Sequence, residues 1–198
     1  IENPGITIDE LIEIVPGPDF PTSPLILGQS GARAAYKDGR GSLMMRARHD
    51  AVLVGAGTAR IDDPMLTQRD LGIARQPVRV VVSRRLDLPL MGKLAISAGE
   101  VPLWLCHGKD ADPSLIEAWS GLGARLFACG VREGHLDMRD VLTTLGTAGL
   151  TRVFCEGGGG LAASLLRDDL VDDLVGFTAG VAIGGDGLAM LAPMGIDQ

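Results

Sequence analysis

The fold prediction begins with the stretch Arg152-Val153-Phe154-Cys155-Glu156-Gly157-Gly158-Gly159-Gly160-Leu161-Ala162. An apolar run ends in one carboxylate, four glycines follow, and a segment with helical spacing comes next. Such a strand, glycine turn and helix bring backbone N–H groups to a helix N-terminus, where a phosphate can approach the chain closely. Glu156 would then lie at the carboxyl end of its strand, where open α/β sheets bind ligands. The glycines alone are explained equally well by a tight turn that binds nothing.

The composition favours one α/β domain with many turns. The chain has 198 residues, of which 46% are hydrophobic and 28 are glycine. Its net charge of -7 argues against nucleic acid as a partner, because phosphate backbones are bound by basic surfaces. Three separated cysteines without a CxxC pair indicate buried thiols in a reducing compartment. No apolar run reaches the roughly 20 residues of a membrane span, and no signal-peptide pattern is present, so we expect a cytoplasmic protein without membrane contact.

Strands and helices alternate along the predicted elements. This order predicts a single α/β domain with a central, mostly parallel sheet flanked by helices. Residues 1–24 are predicted to form an N-terminal extension, and residues 25–198 the domain itself. Strands are predicted at 25–27, 51–54, 78–82, 102–106, 125–128, 152–155 and 174–181, and helical segments at 32–48, 113–119, 137–150 and 161–170. Within the helix at 137–150, Asp137 is placed to cap the first turn.

A second glycine turn, Gly55-Ala56-Gly57-Thr58, follows the apolar strand at 51–54. It does not complete the dinucleotide motif GxGxxG, because the third glycine position holds Arg60, and no P-loop lysine follows. Two such turns side by side could nevertheless hold a pyrophosphate between them. The hydroxyl of Thr58 would either cap a helix or bind phosphate.

A cluster of polar residues follows that turn, from Asp62 to Arg69. Arg69 could hold an anionic group through two parallel hydrogen bonds, and Arg46 and Arg48 could do the same from before the strand at 51. Taken singly, each arginine is more often a surface residue. The three histidines lack the spacing of metal or triad motifs, so we predict neither a metal site nor a hydrolytic triad.

The ordered set of these motifs resembles the pyrimidine reductases of riboflavin biosynthesis, the reductase half of the bifunctional deaminase/reductase. That family has a dihydrofolate-reductase-like fold, and the resemblance runs from about residue 25 to 190. The matching stretches are Gln29-Ser30, Arg46-Ala47, 51–58, Asp62-Asp63-Pro64 with Leu66 and Arg69, 79–82, Glu156-Gly157-Gly158 and 184–187.

The resemblance implies that NADPH reduces the ribosyl group of a 5-amino-6-(5-phosphoribosylamino)pyrimidine to its ribityl form. The hydride comes from the cofactor, so the protein mainly positions the reactants and excludes water. No catalytic acid is assigned. Transferred by position, the substrate contacts are Arg46, Leu66, Arg69 and Glu156, and the cofactor contacts are Gly28, Thr58, Asp62, Gly158, Gly159, Gly160, Leu161, Ala162, Ala163 and Ser164.

Three departures from the family pattern affect this interpretation. The loop after the first strand reads Ser30-Gly31-Ala32-Arg33 instead of Ser-x-Asp-Gly-Lys/Arg, so the family's basic residue cannot be assigned there. The Asp-Ser after the third strand reads Ser83-Arg84, and we hypothesise that Arg84 contacts the 2′-phosphate of NADPH. The closing strands of the fold are not found before Gln198.

Two alternatives stay open. One keeps the fold and cofactor but reduces dihydrofolate or another pterin-like heterocycle. The other is a nucleotide-binding module without catalysis, an interpretation suggested by the altered loop after Ser30. The resemblance also implies a homodimer.

Overall fold

The computed structural model describes residues 25–27, 45–68, 75–175 and 189–195. Its strands are β1 (Leu25–Leu27), β2 (Ala51–Gly55), β3 (Val78–Val82), β4 (Leu103–Gly108), β5 (Arg125–Cys129), β6 (Val131–Arg132), β7 (His135–Leu136), β8 (Val153–Gly157) and β9 (Asp173–Leu174). Its helices are α1 (45–48), α2 (Ala56–Asp62), α3 (Lys93–Ile96), α4 (Pro113–Gly121), α5 (Met138–Thr147) and α6 (Gly159–Arg167). Over these ranges, no helix combines the length and apolarity that crossing a bilayer requires.

The central sheet has seven strands in the order β5-β4-β3-β2-β8-β1-β9. Every strand pairing of this sheet that the described residues form is parallel. The predicted α/β fold with a parallel central sheet flanked by helices is therefore confirmed. A separate two-stranded antiparallel pair, β6 with β7, was not predicted from the sequence.

The strand order reverses between β2 and β8. From β2 the chain adds β3, β4 and β5 on one side, and β8 then pairs with the opposite edge of β2. In open parallel sheets, ligands bind outside the carboxyl ends of the strands at such a reversal. The residues that follow β2 and β8 are the two glycine turns identified in the sequence.

Two hydrophobic clusters cover the two faces of the sheet. One contains alternate residues of the central strands together with Trp119 of α4 and Leu94 of α3. The other contains the intervening residues together with Val141 of α5 and Leu165 of α6. Strands that are buried on both faces are expected to be apolar throughout, as β2 is.

The beginnings of α5 and α6 follow from the residues found there. Asp137 accepts hydrogen bonds from the N–H groups of Arg139 and Asp140, at 3.0 and 3.4 Å, and so caps α5 as predicted. Helix α6 begins at Gly159, two residues before its predicted start, because the third and fourth glycines form its first residues. Of the predicted helix at 32–48, only residues 45–48 are described, and residues 176–181 of the last predicted strand lie outside the described ranges.

Candidate functional site

The two glycine turns meet at the carboxyl ends of β2 and β8. The hydroxyl oxygen of Thr58 accepts a hydrogen bond from the backbone N–H of Gly158 at 3.1 Å. A Cβ added at Gly158 would lie 3.3 Å from that hydroxyl oxygen, and one added at Gly55 would lie 3.7 Å from Cβ of Leu161. The separation at Gly158 is tight and favours glycine there. The separation at Gly55 is an ordinary van der Waals contact, and it places the beginnings of α2 and α6 side by side.

The glycines of the paired turns differ in their surroundings. Among the residues that the structure describes, no atom of another part of the chain would lie within 4 Å of a Cβ added at Gly57 or at Gly160. At Gly159 the same atom would lie 3.0 Å from the carbonyl oxygen of Met190, and the N–H of Ala192 donates to the Gly159 carbonyl at 3.1 Å. Among the described residues, Gly57 and Gly160 are thus exposed, whereas Gly159 is in contact with the backbone at 190–192.

The first N–H groups of α6 can bind an anion. The N–H groups of the first helical turn have no carbonyl partner within the helix, and they carry the positive end of the helix dipole. Gly158 donates to Thr58, and within the described ranges the N–H groups of Gly159, Gly160 and Leu161 have no hydrogen-bond acceptor. Such N–H groups are suited to an anion such as a phosphate.

Glu156 lies at an irregularity in the pairing of β8 with β2. Leu53 pairs with Cys155, but Val54 pairs with Gly157, so Glu156 is an extra residue in β8. A bulge of this kind redirects a side chain and is common beside active sites. Only 8% of the Glu156 side chain is exposed.

Arg46 of α1 binds both oxygens of that carboxylate. Its Nε lies 2.5 Å from Oε1 and its Nη2 lies 2.6 Å from Oε2 of Glu156. Its Nη1 donates to the carbonyl oxygen of Thr67 at 2.8 Å. The ion pair is mostly buried, with 14% of the Arg46 side chain exposed, and it connects α1, β8 and the segment at 63–68.

The segment that presents the Thr67 carbonyl has an unusual backbone. Asp63 and Leu66 both have positive φ angles, of 40° and 53°. Leu66 is 1% exposed and packs in the same core as Phe154 of β8. Left-handed backbone at a large apolar residue costs about 1 kcal/mol or more, and burial of the Leu66 side chain offsets that cost.

Arg84 follows β3, and its guanidinium is hydrogen-bonded to a carboxylate and to a backbone carbonyl. Its Nη2 lies 2.6 Å from Oδ2 of Asp110, and its Nη1 donates to the carbonyl oxygen of Gly134 at 2.8 Å. The hydrogen bond to Asp110 raises the pKa of Arg84 above its ordinary value, and the same bond lowers the pKa of Asp110. A phosphate bound by Arg84 would therefore compete with a carboxylate.

The remaining predicted contact residues differ in accessibility. Asp62 is exposed at the end of α2, whereas Ala162 and Ala163 are buried. Ser164 donates its hydroxyl to the carbonyl oxygen of Gly160 at 3.0 Å, and Leu161 is half-buried. Gly28 and Arg69 lie outside the described residues.

Three features of the site were missed from the sequence. They are the bulge at Glu156, the carbonyl oxygen of Thr67 and the contact of residues 189–192 with Gly159. The two adjacent glycines at 158 and 159 were a signal that backbone approaches closely there. The bulge and the Thr67 carbonyl depend on pairings between distant parts of the chain and leave no local pattern.

The sequence also led to predictions about the cysteines and about metal binding. Cys106, Cys129 and Cys155 are buried and free, as predicted. Burial raises the pKa of Cys155 to about 12, which keeps its thiol protonated. Among the described residues, no group of three or more potential ligand side chains could hold a metal ion.

A short part of the chain is similar to a protein with a different name. The chain is 54% identical to a DNA gyrase subunit of Granulibacter bethesdensis over 61 residues. Those residues make up 31% of this chain and 6% of that protein.

The longer similarity is to reductases of riboflavin biosynthesis. The family model described as the RibD C-terminal domain matches residues 26–198. The riboflavin biosynthesis protein RibD of Bacillus amyloliquefaciens is 31% identical over 140 residues, which are 71% of this chain and 37% of that protein. A structure of RibD from Acinetobacter baumannii (form 2) aligns with a TM-score of 0.68 at 21% identity, over 86% of this chain and 50% of that one. This chain thus spans half or less of the length of these two relatives, and it belongs to the RibD C-terminal domain family.

Proposed function

We propose that this chain is an NADPH-dependent reductase. Its substrate would be 5-amino-6-(5-phosphoribosylamino)uracil or the diamino-pyrimidinone counterpart, whose ribosyl group is reduced to the ribityl form. The observation that carries the proposal is the meeting of Thr58 and Gly158 beside the Arg46–Glu156 pair, at the reversal of strand order. Membership in the RibD C-terminal domain family supports the same reaction class.

The proposed roles follow from the chemistry of each group. NADPH supplies the hydride when bound. The N–H groups at the beginning of α6 would hold its pyrophosphate, and Thr58 would keep the glycine turn in place. Glu156, whose oxygens each accept one hydrogen bond from the described part of the chain, would accept further ones from the ribose hydroxyls. Arg84 would meet the 2′-phosphate. We propose no catalytic acid.

The experiment that tests the proposal is a steady-state assay of NADPH oxidation. The purified chain is given the phosphoribosylaminopyrimidine in both its deaminated and its amino forms. We expect turnover with at least one of them, and identification of the ribityl product by mass spectrometry. NADPH binding without turnover of either substrate would contradict the proposal and favour the alternative of a nucleotide-binding module.

A dihydrofolate or pterin reductase is the alternative on the same fold. It would use the same glycine turns but would need no group for sugar hydroxyls. The buried Arg46–Glu156 pair favours the ribosyl substrate, because a carboxylate fixed at the strand ends suits hydroxyl recognition. Turnover of dihydrofolate that survives Glu156→Gln would support the alternative.

The gyrase-like stretch does not support a topoisomerase activity, since it corresponds to 6% of that relative. We infer that it lies in the first third of the chain. The RibD-like motifs between Ala51 and Gly187 span about the length of the 140-residue alignment with RibD, and the two aligned lengths together are about that of the chain. The departure from the family pattern after Ser30 would then reflect a segment of different ancestry.

The assignment of residues 1–24 as an extension and 25–198 as the domain stays a prediction. We also propose a homodimer in the cytoplasm, which light scattering of the purified chain and fractionation of cells would test. The stretch at 174–181 and the extension are the proposed contact surfaces.

A further inference from the structure

The side-chain amide of Gln76 pairs with the backbone of Gln68. Its Oε1 accepts a hydrogen bond from the Gln68 N–H, and its Nε2 donates to the Gln68 carbonyl oxygen, both at 3.0 Å. The side chain of Gln68 in turn donates to the carbonyl oxygen of Arg75. Gln68 is 3% exposed, and buried backbone groups without partners are costly. The amide of Gln76 thus satisfies both backbone groups of Gln68, as a residue of a neighbouring antiparallel strand would do.

Gln76 is anchored to the central sheet. It is followed by Pro77, and a proline limits the backbone of the preceding residue mainly to extended conformations. Val78 then begins β3, and its N–H donates to the carbonyl oxygen of Asp50 at 2.9 Å. The amide therefore holds Gln68 at a fixed place relative to β2 and β3.

The backbone that precedes Gln68 depends on such contacts. Leu66 has a φ of 53°, which a bulky L-residue rarely adopts, and it is 1% exposed. Backbone of this kind persists where the surrounding structure determines it. The buried side chain of Leu66 fixes one end of the segment 66–68, and the two hydrogen bonds from Gln76 fix the other. Thr67, between them, is thereby held with its carbonyl oxygen toward Arg46.

The Thr67 carbonyl is one of the three acceptors that orient Arg46. It lies 2.8 Å from Nη1, and the oxygens of Glu156 lie 2.5 and 2.6 Å from Nε and Nη2. A guanidinium has five N–H groups, so within the described ranges one N–H on Nη1 and one on Nη2 have no acceptor. The direction of these two N–H groups depends on how the guanidinium is held, and the resemblance implies that Arg46 contacts the substrate.

We propose that Gln76 is a positioning residue for the substrate-binding guanidinium of Arg46. Its amide holds the backbone of Gln68, which fixes the Thr67 carbonyl, and that carbonyl keeps the remaining N–H groups of Arg46 directed at the substrate. This inference rests on the proposed reductase function. Gln76 acts through the backbone and not by touching a reactant.

Gln76→Met tests this role, because it retains the length of the side chain and removes both its donor and its acceptor. Dissociation constants are measured by calorimetry for the phosphoribosylaminopyrimidine and for NADPH. We expect the constant for the pyrimidine to rise by about tenfold and that for NADPH to stay within about twofold of wild type. An unchanged affinity for the pyrimidine, or an equal loss of affinity for both ligands, would overturn the proposal.

A double variant tests whether Gln76 acts through Arg46. In the background of Arg46→Gln, the guanidinium that Gln76 is proposed to orient is removed. Gln76→Met should therefore weaken pyrimidine binding by less than about twofold in that background, compared with about tenfold in wild type. An undiminished loss there would show that Gln76 acts by another route and would overturn the proposal. If Arg46→Gln does not fold, Arg46→Gln/Glu156→Gln takes its place, since it buries no unpaired charge.

Ser97→Ala is the matched control. It removes a buried hydroxyl that accepts a hydrogen bond from Nη1 of Arg79 in β3 at 2.6 Å. This variant should also be less stable than wild type in denaturant unfolding, but it should change neither dissociation constant. A loss of pyrimidine affinity equal to that in Gln76→Met would assign the effect to general destabilisation and would overturn the proposal.

A second variant at position 76 keeps the test interpretable. Gln76→Glu retains the acceptor and loses the donor, and it is measured if Gln76→Met does not fold. The same selective loss of pyrimidine affinity is expected, and unchanged affinity would again overturn the proposal. Failure of the wild type to bind the pyrimidine would overturn the proposed function itself, an outcome distinct from the absence of a selective loss at position 76.

Discussion

The hydroxyl oxygen of Thr58 and the backbone N–H of Gly158 are hydrogen-bonded at 3.1 Å although 100 residues separate them in the chain. This bond joins the turn after β2 to the turn after β8. Because these two strands flank the reversal of strand order, the bond lies where a ligand would bind. The geometry of the glycine turn is thus set partly by a side chain from the other turn.

Thr58→Val removes the acceptor and keeps the β-branched shape. We expect the free energy of unfolding to fall by about 1 kcal/mol, because the partly buried N–H of Gly158 loses its partner. The dissociation constant for NADPH should rise by about tenfold as the turn loosens. Denaturant unfolding and calorimetry measure the two effects.

Thr58→Ser, which retains the acceptor, should behave like wild type in both measurements. Thr147→Val is the matched control, because the exposed hydroxyl of Thr147 donates to the Thr143 carbonyl within α5, far from the turns in the chain. Wild-type NADPH affinity in Thr58→Val would contradict the role of this bond in the cofactor site.

Substitution by alanine is expected to change the stability differently at Gly159 and at Gly160, which are neighbours in α6. At Gly159 a Cβ would lie 3.0 Å from the carbonyl oxygen of Met190 and 3.4 Å from the nitrogen of Ala192, and both are backbone atoms. Gly159→Ala should therefore lower the free energy of unfolding by about 1–3 kcal/mol. At Gly160 a Cβ meets no atom within 4 Å from the described part of the chain, so Gly160→Ala should be neutral or stabilise the helix by up to about 1 kcal/mol.

Denaturant unfolding of the two variants side by side tests this contrast. Equal stability of both variants would mean that residues 189–192 do not pack on the turn in solution.

The strands and the longer helices could be predicted because their signals are local. Ala51–Val54 is an uninterrupted apolar run, and Met138, Val141 and Leu145 recur at helical spacing behind the cap at Asp137. Helix α3 was missed because its four residues, Lys93–Ile96, are too few to show a period. The hairpin of β6 and β7 was missed for a similar reason, since each strand has two residues.

The site could be predicted only as a set of residues and not as an arrangement. The glycine turns and Glu156 were found from the sequence, and their positions at strand ends follow from the alternating elements. The pairing of Arg46 with Glu156 joins residues 110 positions apart. The bulge at Glu156 depends on the register between β2 and β8, which the composition of either strand does not specify.

Asp50 is expected to make the free energy of unfolding depend on pH in the acidic range. Its Oδ2 accepts hydrogen bonds from the hydroxyl and N–H of Thr151, at 2.8 and 3.1 Å, and from the N–H of Arg152 at 3.0 Å. Burial opposes ionisation, but these bonds outweigh it and lower the pKa of Asp50 from 3.8 to about 2.

A carboxyl group whose pKa is lower in the folded state than in the unfolded state stabilises the fold when the pH is above its unfolded-state pKa. That contribution is lost as the pH falls through the folded-state pKa. Asp50→Asn should therefore be less stable than wild type by about 1–3 kcal/mol at neutral pH. The difference should shrink between pH 3.8 and about 2. Urea unfolding of both proteins across that range measures it, with Glu117→Gln, an exposed carboxylate of α4, as the control. A difference that does not change with pH would show that Asp50 acts through shape and not through charge.

Arg84 is the proposed contact of the 2′-phosphate, the group that distinguishes NADPH from NADH. Arg84→Ala should raise the dissociation constant for NADPH by about tenfold and leave that for NADH unchanged, because a charge-assisted contact to phosphate is lost. Oδ2 of Asp110 lies 2.6 Å from Nη2 of Arg84 and would compete with the phosphate for this guanidinium. Asp110→Asn should accordingly strengthen NADPH binding a few-fold, since the phosphate no longer competes with a carboxylate. The exposed neighbour Arg85 supplies the control, and Arg85→Ala should keep the wild-type cofactor preference. If calorimetry gives the same NADPH/NADH ratio for Arg84→Ala and wild type, the 2′-phosphate is bound by another group.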